Sequence, residues 1–246
     1  MAKKKKIIKN IPQDMIFGAH SIIELLKAKK RKLYSIYTTK PLPKSWHRIE
    51  KYLPKNIPNI QYVSKNVLDR MAGTTDHMGI VALVSPFIYR KKVFVSEKHS
   101  FILLLDSIQD VRNLGAILRS AYCTNVTGVV MCKKGGALLN ATAHKSSAGL
   151  VEHLEIYLAA SIQSAVFELK KAGYQFYMAV LDGKDAIKIN YSEPLCLVIG
   201  NEAVGISKSI QKEGILITLP QRRSNISYNA SVAAGILLFL ISQKLK

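Results

Sequence analysis

Arg119, Asn113, Glu202, Ser227 and Asn229 are the polar residues whose types and spacing could do chemistry together. They fall in three segments, 106–121, 197–207 and 219–235, each just after an apolar run. A guanidinium, two carboxamides, a carboxylate and a hydroxyl can bind an anion, orient a hydroxyl and stabilise charge developing on oxygen. Gly200 and Gly205 let the backbone approach a ligand closely and leave N–H groups free as donors. Ser227, Asn229 and Ser231 open a helix, where unpaired N–H groups and hydroxyls favour an anion or a polar ligand. Asn113 is placed to cap a helix, with Arg119 six residues later in its second turn. No Gly-x-Gly-x-x-Gly follows a first strand and no phosphate-cradling Gly-Lys-Ser/Thr is present, which argues against the ordinary nucleotide-binding folds.

These segments need elements to position them. Residues 101–106 form a continuous apolar run ending in Asp, the pattern of a parallel strand buried on both faces. Similar runs recur at 128–132, 177–181, 195–200 and 215–219, and alternate with expected helices at 114–124, 161–172, 207–212 and 230–244. Such alternation predicts a parallel sheet covered by helices, with ligands beyond the carboxyl ends of the strands. Ahead of it, strands at 33–38, 60–63 and 79–84 and helices near 22–26, 46–53 and 65–72 make a small α/β unit. Ser21 and Glu24 are spaced for a capping box on the first of these helices. The organisation expected is a basic tail (1–12), a substrate-binding domain (13–85), a linker (86–99, in which 93–95 could pair) and a second domain (100–246).

The 246 residues carry 36 Lys and Arg against 16 Asp and Glu, a formal charge of +20. Hydrophobic residues make up 48%, enough to bury a core and to exclude a disordered basic chain. Residues 1–98 hold 21 Lys and Arg against 6 acids, and residues 99–246 hold 15 against 10. A polyanion partner gripped mainly by the first unit follows. Lys30, Arg31, Lys32 and Arg48 head the candidate phosphate contacts, with Trp46, Tyr34, Tyr37 and Tyr52 interleaved as rings that could stack on bases. Arg222 and Arg223 add charge near the third segment. Cys123, Cys132 and Cys196 are widely spaced in apolar surroundings, and read as free core thiols in a reducing compartment. No metal-ligand spacing occurs. The N-terminus lacks the apolar stretch of a secretory signal, and the longest apolar run, 232–241, is about half of the roughly 20 residues a membrane span needs. The expectation is a soluble cytoplasmic protein that does not engage membranes or metals.

In order and spacing, the three segments resemble motifs 1, 2 and 3 of the SpoU/TrmH family of RNA ribose 2′-O-methyltransferases, in the SPOUT superfamily, over Phe101 to the C-terminus. The first half is similar to that family's small substrate-binding domain, of ribosomal-protein-like fold. Phe17-Gly18-Ala19-His20, His77-Met78-Gly79-Ile80-Val81-Ala82 and Asn140-Ala141-Thr142-Ala143 resemble the RlmB type in particular. The resemblance implies a C-terminal trefoil-knotted α/β domain, S-adenosylmethionine bound in a bent conformation, and a homodimer. By the same resemblance Arg119 is the central catalytic residue and Asn113 fixes the loop and the Arg119 side chain. Glu202 pairs with Arg119 or Asn113, and Ser227 and Asn229 orient Arg119 or the ribose. Gly200, Leu219, Tyr228, Gly205 and Ile206 surround the cofactor. A guanidinium, with a pKa above roughly 12, does not readily accept a proton. Arg119 either acts as an unusual desolvated base or binds phosphate and stabilises the alkoxide, and the second is energetically preferable.

The activity implied is 2′-O-methylation of a guanosine in large-subunit (23S-type) rRNA. A tRNA ribose methyltransferase, and a non-catalytic RNA-binding or ribosome-assembly protein, are the alternatives. The chain departs from the family pattern at Ala203, Tyr228, Arg222, Arg223 and Met78, none of which removes an expected catalytic group.

Overall fold

A computed structural model describes residues 13–56, 59–222 and 227–245. The expected basic tail, 1–12, and Arg223 lie outside the described residues. The N-terminal half builds a four-stranded sheet from β1 (Asp14–Phe17), β2 (Leu33–Thr38), β3 (Asn59–Tyr62) and β4 (Ile80–Val84), in the order β1-β4-β2-β3. β4 runs antiparallel to β1 and β2, while β2 and β3 are parallel. Strand alternation sorts β4 between two cores. Ile80, Ala82 and Val84 pack with Ile22, Leu25, Ile36 and Trp46, and Val81 packs with Phe17 and Leu68. Three helices complete the unit: α1 (Ala19–Ala28), α2 (Trp46–Glu50) and α3 (Lys65–Ala72).

The capping box expected at Ser21 and Glu24 does not form. Gly18, at φ +82°, turns the chain into α1 three residues earlier and leaves the helix without a side-chain cap. Ser21 is therefore inside the helix and fully buried. Glu24 is drawn to Lys27 at 2.8 Å and His153 at 2.9 Å.

The C-terminal half is a six-stranded sheet of β5 (Phe101–Leu105), β6 (Gly128–Cys132), β7 (Ile156–Ala159), β8 (Gln175–Asp185), β9 (Leu195–Ile199) and β10 (Ile215–Thr218). Its order is β10-β8-β9-β5-β6-β7, parallel throughout. Leu103 and Leu105 enter one core and Ile102 and Leu104 the other, which explains the unbroken apolar run. The helices are α4 (Val111–Cys123), α5 (Ala141–Ser146), α6 (Ile162–Lys171), α7 (Lys208–Gln211) and α8 (Ala230–Lys244). β1, β7 and α5 are additions to the elements read from sequence. β8 runs on past its apolar stretch, and its pairing with β10 shifts register between Leu216 and Ile217: Ile215 and Leu216 pair with Tyr177 and Met178, Ile217 and Thr218 with Lys184 and Asp185. Cys132 and Cys196 are buried, and burial pushes the Cys132 thiol up to about 11. Cys123, expected in the core, is exposed on α4.

Residues 86–99 are laid along the second sheet. Phe94 is fully buried, its ring filling the space over Gly128, where a Cβ would stand 2.4 Å from it. The Arg90 N–H donates to Ile156 O at 2.8 Å, and its guanidinium pairs with Glu155.

The two units are docked. Gly149 (φ +81°) brings its backbone against α1 so closely that a Cβ would meet Ser21 Cα at 2.8 Å and His20 O at 2.9 Å. Beside it Arg31, whose side chain is 1% exposed, donates to Asp14 at 2.7 Å, Glu152 at 2.8 Å, Ser85 O at 2.7 Å and His144 Nε2 at 3.1 Å. All three guanidinium nitrogens are engaged at the junction through these four bonds, so the expected role of Arg31 as a phosphate contact is corrected: it is a structural tie between the units. Among the described residues, no helix is long and apolar enough to cross a membrane.

Candidate active site

The site grows from the ends of β5, β9 and β10. Asp106, 1% exposed at the end of β5, accepts a hydrogen bond from Ser207 N at 2.7 Å, which ties down the loop after β9. Asn201 closes that loop from within. Its amide donates to Ser107 O at 2.8 Å, its Oδ1 accepts from Ala203 N at 2.8 Å and Val204 N at 3.1 Å, and its backbone pairs both ways with Gly205. Gly205 has φ +71°. A Cβ on Gly200 would lie 2.2 Å from Gly205 C and 2.3 Å from Ile206 N, so only glycine permits this fold-back. Ala203 is accommodated because it sits on the exposed side of the turn.

The tight loop aims Glu202 at the start of α4. Its carboxylate accepts from Gln109 N and Asp110 N, both at 3.2 Å, and from the Asn113 amide at 3.1 Å. Burial pushes this carboxyl up, but the bonds from Asn113 and from backbone N–H groups outweigh it and hold it below the ordinary carboxylate range. Asn113 Oδ1 in turn accepts from the Asn229 amide at 3.2 Å. Asn229 also caps α8, its Oδ1 accepting from Ser231 N at 2.9 Å and Val232 N at 3.4 Å. Three segments far apart in sequence are thereby joined through Glu202, Asn113 and Asn229. Asn113 is not the cap of α4; Asp110 is, accepting from Arg112 N at 2.7 Å. Asn113 stands one turn inside and is free to reach outward.

Behind this network lies a cavity of about 350 Å³. All five residues expected around a cofactor, Gly200, Gly205, Ile206, Leu219 and Tyr228, line it, as do Glu202 and Ser227. Its floor is apolar, from Ile199, Ile217 and Leu237. Tyr228 is 43% exposed at the mouth, with its hydroxyl donating to Pro220 O at 3.4 Å.

Arg119 stands apart from this group. It is exposed on α4, does not line the cavity, and makes no hydrogen bond or ion pair among the described residues. Six residues along a helix rotate a side chain by about 240° net of full turns, so Asn113 and Arg119 leave α4 on different sides. The expected hold on Arg119 by Glu202, Asn113, Ser227 or Asn229 is not present within one chain. Of the candidate RNA contacts, Lys32, Arg48 and Arg222 are exposed, and Lys32 lies 5.6 Å from the Tyr34 ring centre. Lys30 donates to His153 O at 3.3 Å. Trp46 is a core residue, while Tyr52 is exposed under Lys27. Asp106 and Asn201, which shape the site, carry a signal in sequence only as polar residues ending apolar strands. Among the described residues no group of three or more His, Cys, Asp or Glu could hold a metal ion.

Comparison with known proteins agrees with this layout. Residues 100–239 match the model of the SpoU rRNA Methylase family, and residues 15–90 match that of RNA 2′-O ribose methyltransferase substrate binding. The chain is 30% identical over 240 residues to YacO of Bacillus subtilis, a protein assigned to the TrmH family of tRNA/rRNA methyltransferases, covering 94% of this chain and 96% of that one. An RNA 2′-O ribose methyltransferase structure superposes with a TM-score of 0.83 at 21% identity, over 96% of this chain and 90% of that one. An AdoMet-bound rRNA methyltransferase from Sinorhizobium meliloti superposes with a TM-score of 0.79 at 21% identity, over 95% and 88%. These two likenesses establish a shared fold. The chain belongs to the SpoU rRNA Methylase family, with a substrate-binding domain of the RNA 2′-O ribose methyltransferases ahead of its methylase domain.

Proposed function

We propose that this protein transfers a methyl group from S-adenosylmethionine to the 2′-hydroxyl of a ribose in RNA, the target being a guanosine of large-subunit rRNA. The observation that carries the reading is the network Glu202–Asn113–Asn229 at the rim of the cavity, which brings three strand ends to one place. The cavity suits the cofactor: it combines an apolar floor with a backbone cradle at Gly200 that any Cβ would fill. Gly200, Gly205, Ile206, Leu219 and Tyr228 would hold S-adenosylmethionine, which supplies an electrophilic sulfonium methyl. An AdoMet-bound methyltransferase of the same fold supports this assignment.

A 2′-hydroxyl is a poor nucleophile and must be aligned and relieved of its proton. Glu202, kept ionised by its hydrogen bonds, fixes the Asn113 amide. Asn113 and Ser227 are then polar groups available to orient the hydroxyl at the cavity rim. Arg119, permanently cationic, offers N–H donors to the adjacent phosphate and to the developing alkoxide, while phosphate or water takes the proton.

Two copies of the chain complete the site in this reading. Val232, Ile236 and Phe239 are all exposed, the last at 61%. Their i, i+4, i+7 spacing aligns them on one face of α8, as an apolar patch for a second copy. Arg119, turned away from its own chain's network, is consistent with a site shared between copies. The knot belongs to the same reading, supported by the match of residues 100–239 to the SpoU rRNA Methylase family. The working place proposed is the cytoplasm.

Mapping 2′-O-methyl positions in total RNA from cells with and without the protein tests the function. A position in 23S-type rRNA methylated only when the protein is present is expected. A tRNA position would shift the substrate, and unchanged maps together with no S-adenosylmethionine binding would overturn the reading.

A further inference from the structure

Helix α5 lies between α4 and the beginning of α1, and a set of cationic groups gathers along it. Gly115 puts α4 and α5 in backbone contact, since a Cβ there would meet Ala143 O and Ser146 Cβ at 2.5 Å. Arg119 follows Gly115 by one helical turn, on the same side of α4. From α5, the Lys145 side chain crosses to the substrate-binding domain and lies over Gly18, where a Cβ would stand 2.9 Å from Lys145 Nζ. At that point α1 begins with no side-chain cap and no acidic residue in its first turn, and His20 is exposed beside it. Arg48 is exposed on α2, which packs on α1. Arg48, Lys145 and Arg119 make no ion pair or side-chain hydrogen bond among the described residues. Burial, then the charges of Arg48, Lys145 and Arg119, opposed by Glu24, hold the His20 imidazole below its ordinary value. The geometry itself sets Lys145 at the start of α1, beside the exposed His20, with Arg48 on the adjoining helix. Glu24, the nearest carboxylate to enter the balance, is already engaged by Lys27 and His153.

We propose that His20, Arg48 and Lys145 form an anion-binding cleft across the junction of the two domains, which holds the RNA backbone phosphate beside the ribose that Arg119 serves. Naming RNA as the anion rests on the function proposed above; the cleft itself rests on Lys145 crossing to the start of α1, where His20 and, from the helix packed beside it, Arg48 are exposed without a carboxylate partner among the described residues. A phosphate here meets two permanent or near-permanent charges and an imidazole that remains a donor when neutral, together with the uncapped N–H groups of α1. The cleft is separate from the Lys27–Lys32 surface, two of whose members, Lys30 and Arg31, are committed to the domain junction. It draws residues from both domains, so it exists only while they are docked.

The test is binding of the full chain to a short single-stranded RNA of mixed sequence, measured as log affinity against log salt, alongside methyl transfer to rRNA from cells lacking the protein. Arg48→Gln and Lys145→Gln should each weaken RNA binding about tenfold. Each should also make the salt dependence shallower by about one unit of slope. Affinity for S-adenosylmethionine should stay unchanged, and the KM for RNA should rise more than kcat falls. Lys145→Arg should restore binding, which separates lost charge from a damaged fold. Lys188→Gln, the same change of charge near the far end of α8, should leave affinity near that of the unaltered protein. Wild-type affinity and slope in Arg48→Gln and Lys145→Gln, or an equal loss in Lys188→Gln, would overturn the cleft. If the unaltered protein transfers no methyl group while the two variants still weaken RNA binding, the function fails and the cleft stands. If transfer proceeds and binding is unmoved, the cleft alone fails.

Discussion

Asn113 on α4 and Glu202 in the loop after β9, 89 residues apart, are joined by a 3.1 Å hydrogen bond from amide to carboxylate. The same carboxylate receives two backbone N–H groups from the start of α4, so the pair acts as a unit. Asn113→Ala and Glu202→Ala should each lower kcat, and the double variant should be less damaged than the two effects combined. A coupling energy of about 0.5–3 kcal/mol is expected, read from a double-mutant cycle on methyl transfer. Because its folded value is depressed, the ionised Glu202 stabilises the loop above the ordinary carboxylate range, and this is lost as pH falls through the depressed value. An NMR titration of Glu202 should give a midpoint below that of an exposed glutamate.

Arg119→Ala should reduce kcat by about 100- to 1000-fold, the scale for removing one preorganised donor to a developing oxyanion. S-adenosylmethionine affinity, followed by calorimetry, should not change, because Arg119 does not line the cavity. Arg119→Lys should recover little, since an ammonium cannot reproduce the two-pronged guanidinium. Substantial activity in the lysine variant would show that charge alone suffices.

Gly200→Ala should abolish cofactor binding and cost about 1–3 kcal/mol of stability, the range for forcing atoms into filled space. The added methyl would be 2.2 Å from the Gly205 backbone, which holds the loop that carries Glu202. Denaturant unfolding and a cofactor titration on the same sample check both halves.

Phe239→Glu should convert the dimer proposed above into monomers, seen as a halved mass in light scattering. Phe239 is 61% exposed and its substitution disturbs no core contact of its own chain, so secondary structure should persist. A variant that keeps the mass of the unaltered protein would place the subunit contact elsewhere.

The parallel sheet was legible because its strands, such as 101–105, are buried on both faces and cannot carry polar side chains. α8 and α3 were read with the bounds the structure shows. The cavity-lining Gly200 and Gly205 were also legible, since glycines at strand ends mark backbone turns that a side chain would block. Less legible was which partner each polar group takes. Nothing local says that Gly18 displaces the start of α1, or that Asp110 leaves Asn113 free. Arg31 sits within a run of lysines, and only its burial against Asp14 and Glu152, contributed from different elements, separates it from them.

Arg31→Met should destabilise the protein by about 3–5 kcal/mol, because Glu152, 1% exposed at its side chain, would keep a buried charge without its partner. Arg31→Lys should not rescue it, as one ammonium cannot serve Asp14, Glu152 and Ser85 O at once. Urea unfolding measures both.

Phe94, buried over Gly128, has a further consequence. A chain pinned there, with Gly149 pressed on α1 and Arg31 bolted across the seam, gives the smaller domain no tether to swing on. The gap from its cationic face to the cavity is a fixed dimension of the protein, as in a caliper. In the function proposed above, an RNA would be selected by the distance between the backbone it offers to one jaw and the ribose it presents to the other.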